Sequence, residues 1–336
     1  MKREEVAMDE PVKRLVAALA GLRLVAYLNC SQATLNTLRR YLKATDRDVL
    51  LFASPLEGGG AGSGSTCGVV SGGCLAIALG HLGDVLEPEQ GKAESLYRRL
   101  KDYTVWFRDG FGTTLCRERT GLDLGRATGL VRYLLEGRFL SRCTRAAVAA
   151  VPRLVGMVEE PLAGSGRAGE LDERLFREGG LCGSGVLAEA RRRFGLGSVT
   201  LERLSLALDG GVGLSGGLCG ALAAALGCLG LVLGNDPERG VLRNLAFFTR
   251  GHYYLYLGKE ADEQWSRGSR LVEAFREEFG SLECAALTGR EFSSGSELME
   301  YLGISATCDK IRRWCADKAV EVLEVLGERG NPRAGG

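Results

Sequence analysis

Apolar residues recur at helical spacing along almost the whole chain. Val12, Leu15, Val16, Leu19 and Leu22 follow the i, i+3, i+4 rhythm of a one-sided helix, and Pro11 suits its first turn. The same reasoning predicts helices from Cys30 to Tyr41 and from Glu94 to Phe107. At the C-terminus Ile311, Cys315, Ala319, Val322 and Leu326 share one stripe, with Gly327 placed as a C-cap. Two runs are apolar all round, Val69 to Leu79 and Leu218 to Gly234. The second carries no charge, yet it is shorter than the roughly 20 residues a bilayer demands, and glycines at 220, 227, 230 and 234 interrupt it. It therefore reads as a buried core helix. No period-two alternation stands out, so the fold class is all-α, two tandem helical-bundle modules related by internal duplication.

The duplication is visible in the cysteines. Cys67 follows Cys30 by 37 residues and Cys219 follows Cys182 by the same 37, each second cysteine opening a Cys-Gly dipeptide behind a glycine-rich run. The segment Phe107 to Cys116 returns as Phe275 to Cys284, each with a Phe-Gly pair four residues before its cysteine's neighbour, and Cys143 and Cys308 close the two copies. A thiol that merely fills a core is replaceable by Ala or Val, so matched thiols in two diverged copies indicate that the sulfur is used. The expected organisation is residues 1–160 as the first four-cysteine module, a linker at 161–169 rich in Gly and Ser, and 170–336 as the second. The copies differ in length between the second and third cysteines, and the excess falls in Asn235 to Lys259. Its Phe247, Phe248, Tyr253, Tyr254 and Tyr256 would serve a docking element, although an extra helix packed on its own module is the favoured expectation.

Length and charge narrow the function. The 336 residues are enough for two cores, so neither half needs disulfides to fold. Lys+Arg 43 against Asp+Glu 42 leaves a net charge of +1, which excludes the basic field that nucleic acid or an anionic membrane selects. No secretory signal pattern opens the chain, and the expected compartment is the cytoplasm, where eleven cysteines stand as reduced thiols, metal ligands or redox catalysts. A redox partner protein is expected, and a second copy of the chain, as a homodimer, is a candidate partner.

The chemistry concentrates before the second cysteine of each copy. Gly58 to Gly68 and Gly210 to Gly220 both lead into an apolar helix pattern, which puts Cys67 and Cys219 at helix N-termini, where unpaired N–H groups favour a thiolate. No Gly-Lys-Ser/Thr follows, so a nucleotide cradle is disfavoured. Four thiols from one module suit an iron–sulfur cluster or a tetrahedral zinc, and the absence of a close ligand pair favours the cluster. Cys74, Cys228 and Cys315 read as core residues. His81 and His252, which have no counterparts in the other copy, read as surface or cap residues. The run Arg191-Arg192-Arg193 reads as solvated.

These motifs resemble the C-GCAxxG-C-C family of redox-active proteins. The first copy supplies Asn29-Cys30-Ser31-Gln32-Ala33, then Cys67-Gly68-Val69-Val70-Ser71-Gly72, then Cys116 and Cys143. The second supplies Cys182-Gly183-Ser184-Gly185, Cys219-Gly220-Ala221-Leu222-Ala223-Ala224, Cys284 and Cys308. Val69 and Ala224 depart from the pattern by small apolar changes. The modules are also similar to the non-haem part of split-Soret cytochromes, although no Cys-x-x-Cys-His for covalent haem is present. The resemblance implies one iron–sulfur cluster per module, held by Cys30, Cys67, Cys116 and Cys143 in the first and Cys182, Cys219, Cys284 and Cys308 in the second, with Gly68, Gly72, Gly217 and Gly220 admitting the cofactor. The expected function is that of an electron carrier or redox-complex subunit rather than a self-sufficient enzyme. The alternatives are a metal-free thiol/disulfide oxidoreductase or sensor, with Cys67 or Cys219 as a low-pKa nucleophile, and a structural zinc protein.

Overall fold

A computed structural model of the chain describes residues 10–85, 92–164, 181–258 and 261–328. Among these residues there is no strand, only two isolated bridges, Thr66 with Leu115 and Leu218 with Glu283, so the fold is all-α. The first copy contains α1 (Glu10–Tyr27), α2 (Cys30–Tyr41), α3 (Asp48–Ala53), a 3-10 segment (Ser54–Gly59), α4 (Gly68–Gly80), α5 (Leu82–Val85), α6 (Ala93–Phe111), α7 (Cys116–Thr120), α8 (Ala127–Leu135) and α9 (Arg145–Glu159). A π-helical turn, Phe139–Thr144, leads into α9. The second copy contains α10 (Ser184–Phe194), α11 (Val199–Leu204), a 3-10 segment (Ser205–Leu208), α12 (Gly220–Leu233), α13 (Val241–Tyr256), α14 (Gln264–Phe279), α15 (Cys284–Thr288), α16 (Gly295–Ile304) and α17 (Ala306–Glu328). Thus α2, α3, α4, α6, α7, α8 and α9 recur as α10, α11, α12, α14, α15, α16 and α17. Among the described residues α1, α5 and α13 have no counterpart.

The two all-round apolar helices occupy the centre because neither has a face that water could cover. Residues 68–78 of α4 and 220–232 of α12 are buried. The 220–239 stretch passes a length and hydropathy test for a membrane span, and it is mostly buried inside the protein. Their packing crosses between the copies. Helix α4 rests on α2, α6 and α9 of its own copy and on the 205–208 turn of the other, while α12 rests on α10, α14 and α17 and on α3 and the 54–59 segment of the first copy. One apolar core therefore runs through both modules without a break. Small residues let the backbones close up: a Cβ on Gly227 would lie 2.0 Å from the Phe52 ring, and one on Gly72 would lie 2.3 Å from the Ser31 carbonyl oxygen.

Polar contacts tie the copies together at the rim. Helix α2 buries Gln32, Asn36 and Arg39, and each finds its partner in the second copy. The Gln32 amide donates to the Asn235 carbonyl at 2.8 Å, the Asn36 amide to Glu238 at 3.2 Å, and Arg39 pairs with Glu238 at 2.9 Å. Satisfying these groups across the interface is what makes their burial tolerable.

Several expectations shift in detail. Helix α1 forms where predicted, but Val12, Leu15 and Leu22 are exposed, and the buried positions are Ala17, Ala20, Gly21 and Leu24. The small side chains win that face because they let α1 lie close on α9, where a Cβ on Gly21 would already sit 3.0 Å from Val148. Gly327 lies inside α17 rather than capping it. Of the expected linker, residues 165–169 lie outside the described residues, as does Lys259 of the longer segment in the second copy. Arg99 holds the preceding chain through the carbonyl oxygens of Met157, Glu160 and Pro161.

A shared core predicts shared unfolding. Gly227→Ala should push the Phe52 ring out of its seat and cost about 1–3 kcal/mol, the usual range for overpacking. Denaturant unfolding followed by tryptophan fluorescence and by circular dichroism should show one coincident transition at a lower midpoint, with neither copy melting alone.

Candidate functional site

Each copy gathers its four family cysteines around one cavity, although they are spread over more than 110 residues of sequence. In the first copy Cys30 is the first residue of α2, Cys67 is the N-cap of α4, Cys116 opens α7 and Cys143 sits in the π-helical turn. All four line a cavity of about 60 Å³. In the second copy Cys182 precedes α10, Cys219 is the N-cap of α12, Cys284 opens α15 and Cys308 lies in the first turn of α17, and these line a cavity of about 20 Å³.

The local geometry repeats in matching pairs. The N-cap backbones agree closely, φ −53° and ψ 132° at Cys67 against −50° and 129° at Cys219. The Cys67 amide donates to the Thr114 carbonyl at 2.8 Å, as Cys219 does to Leu282 at 2.8 Å. The Cys116 amide donates to Ser65 at 2.7 Å, as Cys284 does to Gly217 at 2.6 Å. Each second and third cysteine is thereby stitched together by the backbone. The glycine loops that make this possible turn through the left-handed region, with Gly59 at φ +89° and Gly211 at φ +82°, and a Cβ on either would run into the backbone amide six residues on.

The four glycines expected to admit a cofactor face protein atoms. A Cβ on Gly68 would lie 2.4 Å from Cys30 Sγ, on Gly72 2.3 Å from the Ser31 oxygen, on Gly217 2.0 Å from Thr66 Oγ1, and on Gly220 2.6 Å from the Leu208 oxygen. At Gly68 the missing side chain is what lets the first thiol come up beside the second. Gly220 also lines the second cavity.

Burial governs the charge state of the thiols. It pushes Cys30 and Cys116 well above the ordinary thiol range, and the neighbouring family thiols push further in the same direction. Cys143 is pushed up to about 11 by burial and by Cys67, against the opposing effect of the Tyr133 hydroxyl, which donates to Cys143 Sγ at 3.0 Å. In the second copy burial takes Cys219 up to about 11 despite the amides of Leu222 and Ala221 aimed at it. Cys182, Cys284 and Cys308 are also raised, chiefly by burial. One cation reaches a sulfur in the first site: Arg119, buried over the Phe107 and Phe111 rings, donates from Nη1 to Cys67 Sγ at 3.0 Å. Among the described residues no group of three His, Cys, Asp or Glu stands in metal-binding geometry, so the thiols surround each cavity without being drawn together.

Two acidic residues belong with these sites and were missed from the sequence. Glu57 lines the first cavity, and burial raises its carboxyl well above the usual carboxylate range. Asp209 takes the matching place in the second copy, where burial pushes it up to about 7 against the Tyr97 hydroxyl at 2.6 Å and the Cys182 amide at 3.1 Å. Both stand ten residues before the second cysteine, an offset that was legible in the repeat. His252 was also missed. It is buried on α13, its Nδ1 lies 2.8 Å from the Phe248 carbonyl oxygen, and it lines the first cavity with Phe248 and Leu255. The aromatic segment of the second copy is thus a helix packed on its own module through α14, and it also roofs the thiols of the first. His81 caps α4 as expected, but from a buried position. Cys74, Cys228 and Cys315 are core residues outside both cavities.

Comparison with protein families matches two regions, residues 28–157 and 181–322, to the model described as "Putative redox-active protein (C_GCAxxG_C_C)". Neither curated proteins nor solved structures give a match. The two regions contain all eight cysteines of the two cavities and cover most of the chain, one match for each copy of the repeat. The protein accordingly belongs to the redox-active C_GCAxxG_C_C family, as a tandem duplication of its module.

Proposed function

We propose that the protein carries electrons, with one iron–sulfur cluster held in each module by its four cavity-lining cysteines: Cys30, Cys67, Cys116 and Cys143 in the first, and Cys182, Cys219, Cys284 and Cys308 in the second. The observation that carries this reading is the convergence, in both copies, of four sequence-distant thiols on one buried cavity. A set of four thiols with N–H and O–H groups aimed at sulfur is the chemistry of a soft-metal centre. When bound, the cluster supplies reversible one-electron chemistry. The chain's own part is to exclude water, to hold sulfur in hydrogen bonds, and to balance charge with Arg119. A cation would draw the thiols inward and replace their protons, offsetting the burial that raises Cys30, Cys116 and Cys143 in the first site and Cys182, Cys219, Cys284 and Cys308 in the second.

The thiol/disulfide alternative asks for an activated nucleophile, and burial works against that at Cys219, which is pushed up to about 11 rather than down. A structural zinc would use the same sulfurs, and the optical spectrum separates it from the cluster. The roof built by α13 and the buried first site favour exchange with a redox partner protein over a diffusing substrate.

Protein purified without oxygen should be brown, carry iron and acid-labile sulfide, and bleach with dithionite. Cys67→Ser and Cys219→Ser should each remove about half of the iron, and the double variant nearly all of it. A colourless, iron-free protein after reconstitution would refute the cluster.

A second expectation concerns pH. In metal-free protein the Cys143 and Cys219 thiols are raised to about 11, above the roughly 8.5 of an unfolded cysteine. Their contribution to folding is therefore complete below that unfolded value and is lost as pH rises towards 11. Thermal melts of the metal-free chain should fall across that window. Metal-loaded protein, whose thiolates are already ionised, should lack this decline.

A further inference from the structure

The two sites meet. Thr66 and Leu218 are equivalent residues, each directly before the second cysteine of its copy, and they touch across the boundary between the modules: the Leu218 amide donates to Thr66 Oγ1 at 2.7 Å. Equivalent residues in mutual contact mark a local two-fold relation. The same loops meet elsewhere, since a Cβ on Gly60 would lie 2.8 Å from Leu218. From Cys67 Sγ to Cys219 Sγ the path therefore runs through two peptide units, one side chain and one hydrogen bond. Standard bond lengths along it bound the sulfur-to-sulfur separation at roughly 20 Å. The backbone bonds from Cys116 to Ser65 and from Cys284 to Gly217 bring a second thiol of each site onto the same bridge.

The two ends of this bridge differ electrically. In the first site Arg119 donates to Cys67 Sγ and Tyr133 to Cys143 Sγ. The matching position in the second copy is Leu287, which brings no charge, and Tyr301 turns away to the Thr288 carbonyl at 3.5 Å. The second site does have Arg312 along its wall, where its charge reaches Cys308, but that guanidinium is also paired with Asp309. Positive charge and hydrogen bonds at sulfur favour the reduced, more negative state and so raise the reduction potential.

We propose that the two cysteine sites exchange single electrons across the Thr66–Leu218 contact, with the first site as the acceptor. The inference rests on the cluster reading above. With clusters bound, the second site would take one electron from an external one-electron donor protein and pass it to the first, leaving the second oxidised and the first reduced by one, with no bond made or broken. The protein is in this view a two-centre relay with a direction, not two independent carriers on one chain.

The test uses the full chain loaded anaerobically with iron and sulfide. Potentiometry followed by electron paramagnetic resonance should resolve two one-electron midpoints, with spin–spin broadening once both sites are reduced. Arg119→Leu, which gives the first site the residue the second already has, should lower the upper midpoint and leave the lower one in place. After flash reduction by a limiting photodonor, Thr66→Val should slow redistribution between the sites several-fold, while Thr66→Ser, which keeps the hydroxyl acceptor, should match the unmodified chain. Two loaded clusters with narrow, independent signals would overturn the relay, as would equal rates in the Val and Ser variants. The broadening needs no variant to fold. Failure to bind iron and sulfide would instead overturn the cluster reading itself.

Discussion

Helices α4 and α12 have no polar face, and the remaining elements are arranged so that neither meets water. A helix that is apolar all round needs neighbours on every side. Each copy closes the gap with elements of the other, Phe52 and the 54–59 segment on α12, and the 205–208 turn on α4. Duplication has therefore produced one body with two related halves. The glycines of the central helices follow from the same demand, since they are the places where another backbone or ring comes within a side chain's width.

That burial also sets the terms for the thiols. Cys67 and Cys219 gain N–H groups by sitting at the N-termini of α4 and α12, but those helices lead into the driest part of the protein. Desolvation outweighs the helix end at Cys219, and its thiol stays protonated at neutral pH. A buried group of four thiols becomes anionic readily only when positive charge arrives with the ligand.

The copies have diverged where the sites meet their surroundings. The first has a roof of Phe248, His252 and Leu255 borrowed from the second, a guanidinium at Cys67, and a cavity of about 60 Å³ against about 20 Å³. The spacing of the last cysteine changes too: the π-helical turn carries Cys143 into α9 without a break, whereas Ser305 interrupts the chain before Cys308 and accepts its amide at 3.2 Å. Two sites with one ancestry thus sit in unequal fields.

The repeat, the all-α class and the positions of helices such as α2 and α6 were legible in the chain because they depend on local spacing: α2 spans Cys30–Tyr41 as read, and the cysteines at 37-residue intervals identified the modules. Even the buried acids, Glu57 and Asp209, left a trace in their common offset. The face that α1 buries was not legible, because Ala17, Ala20 and Gly21 are chosen by how closely α9 can approach and not by their own hydrophobicity. Nor could the sequence reveal that Thr66 meets Leu218, that α13 covers the other copy's thiols, or that Arg119 rather than its neighbours reaches Cys67. Periodicity and composition act over a few residues, and they determined the parts list. Contacts between residues more than fifty positions apart depend on how the two central helices are enclosed, and only the tertiary structure decided those.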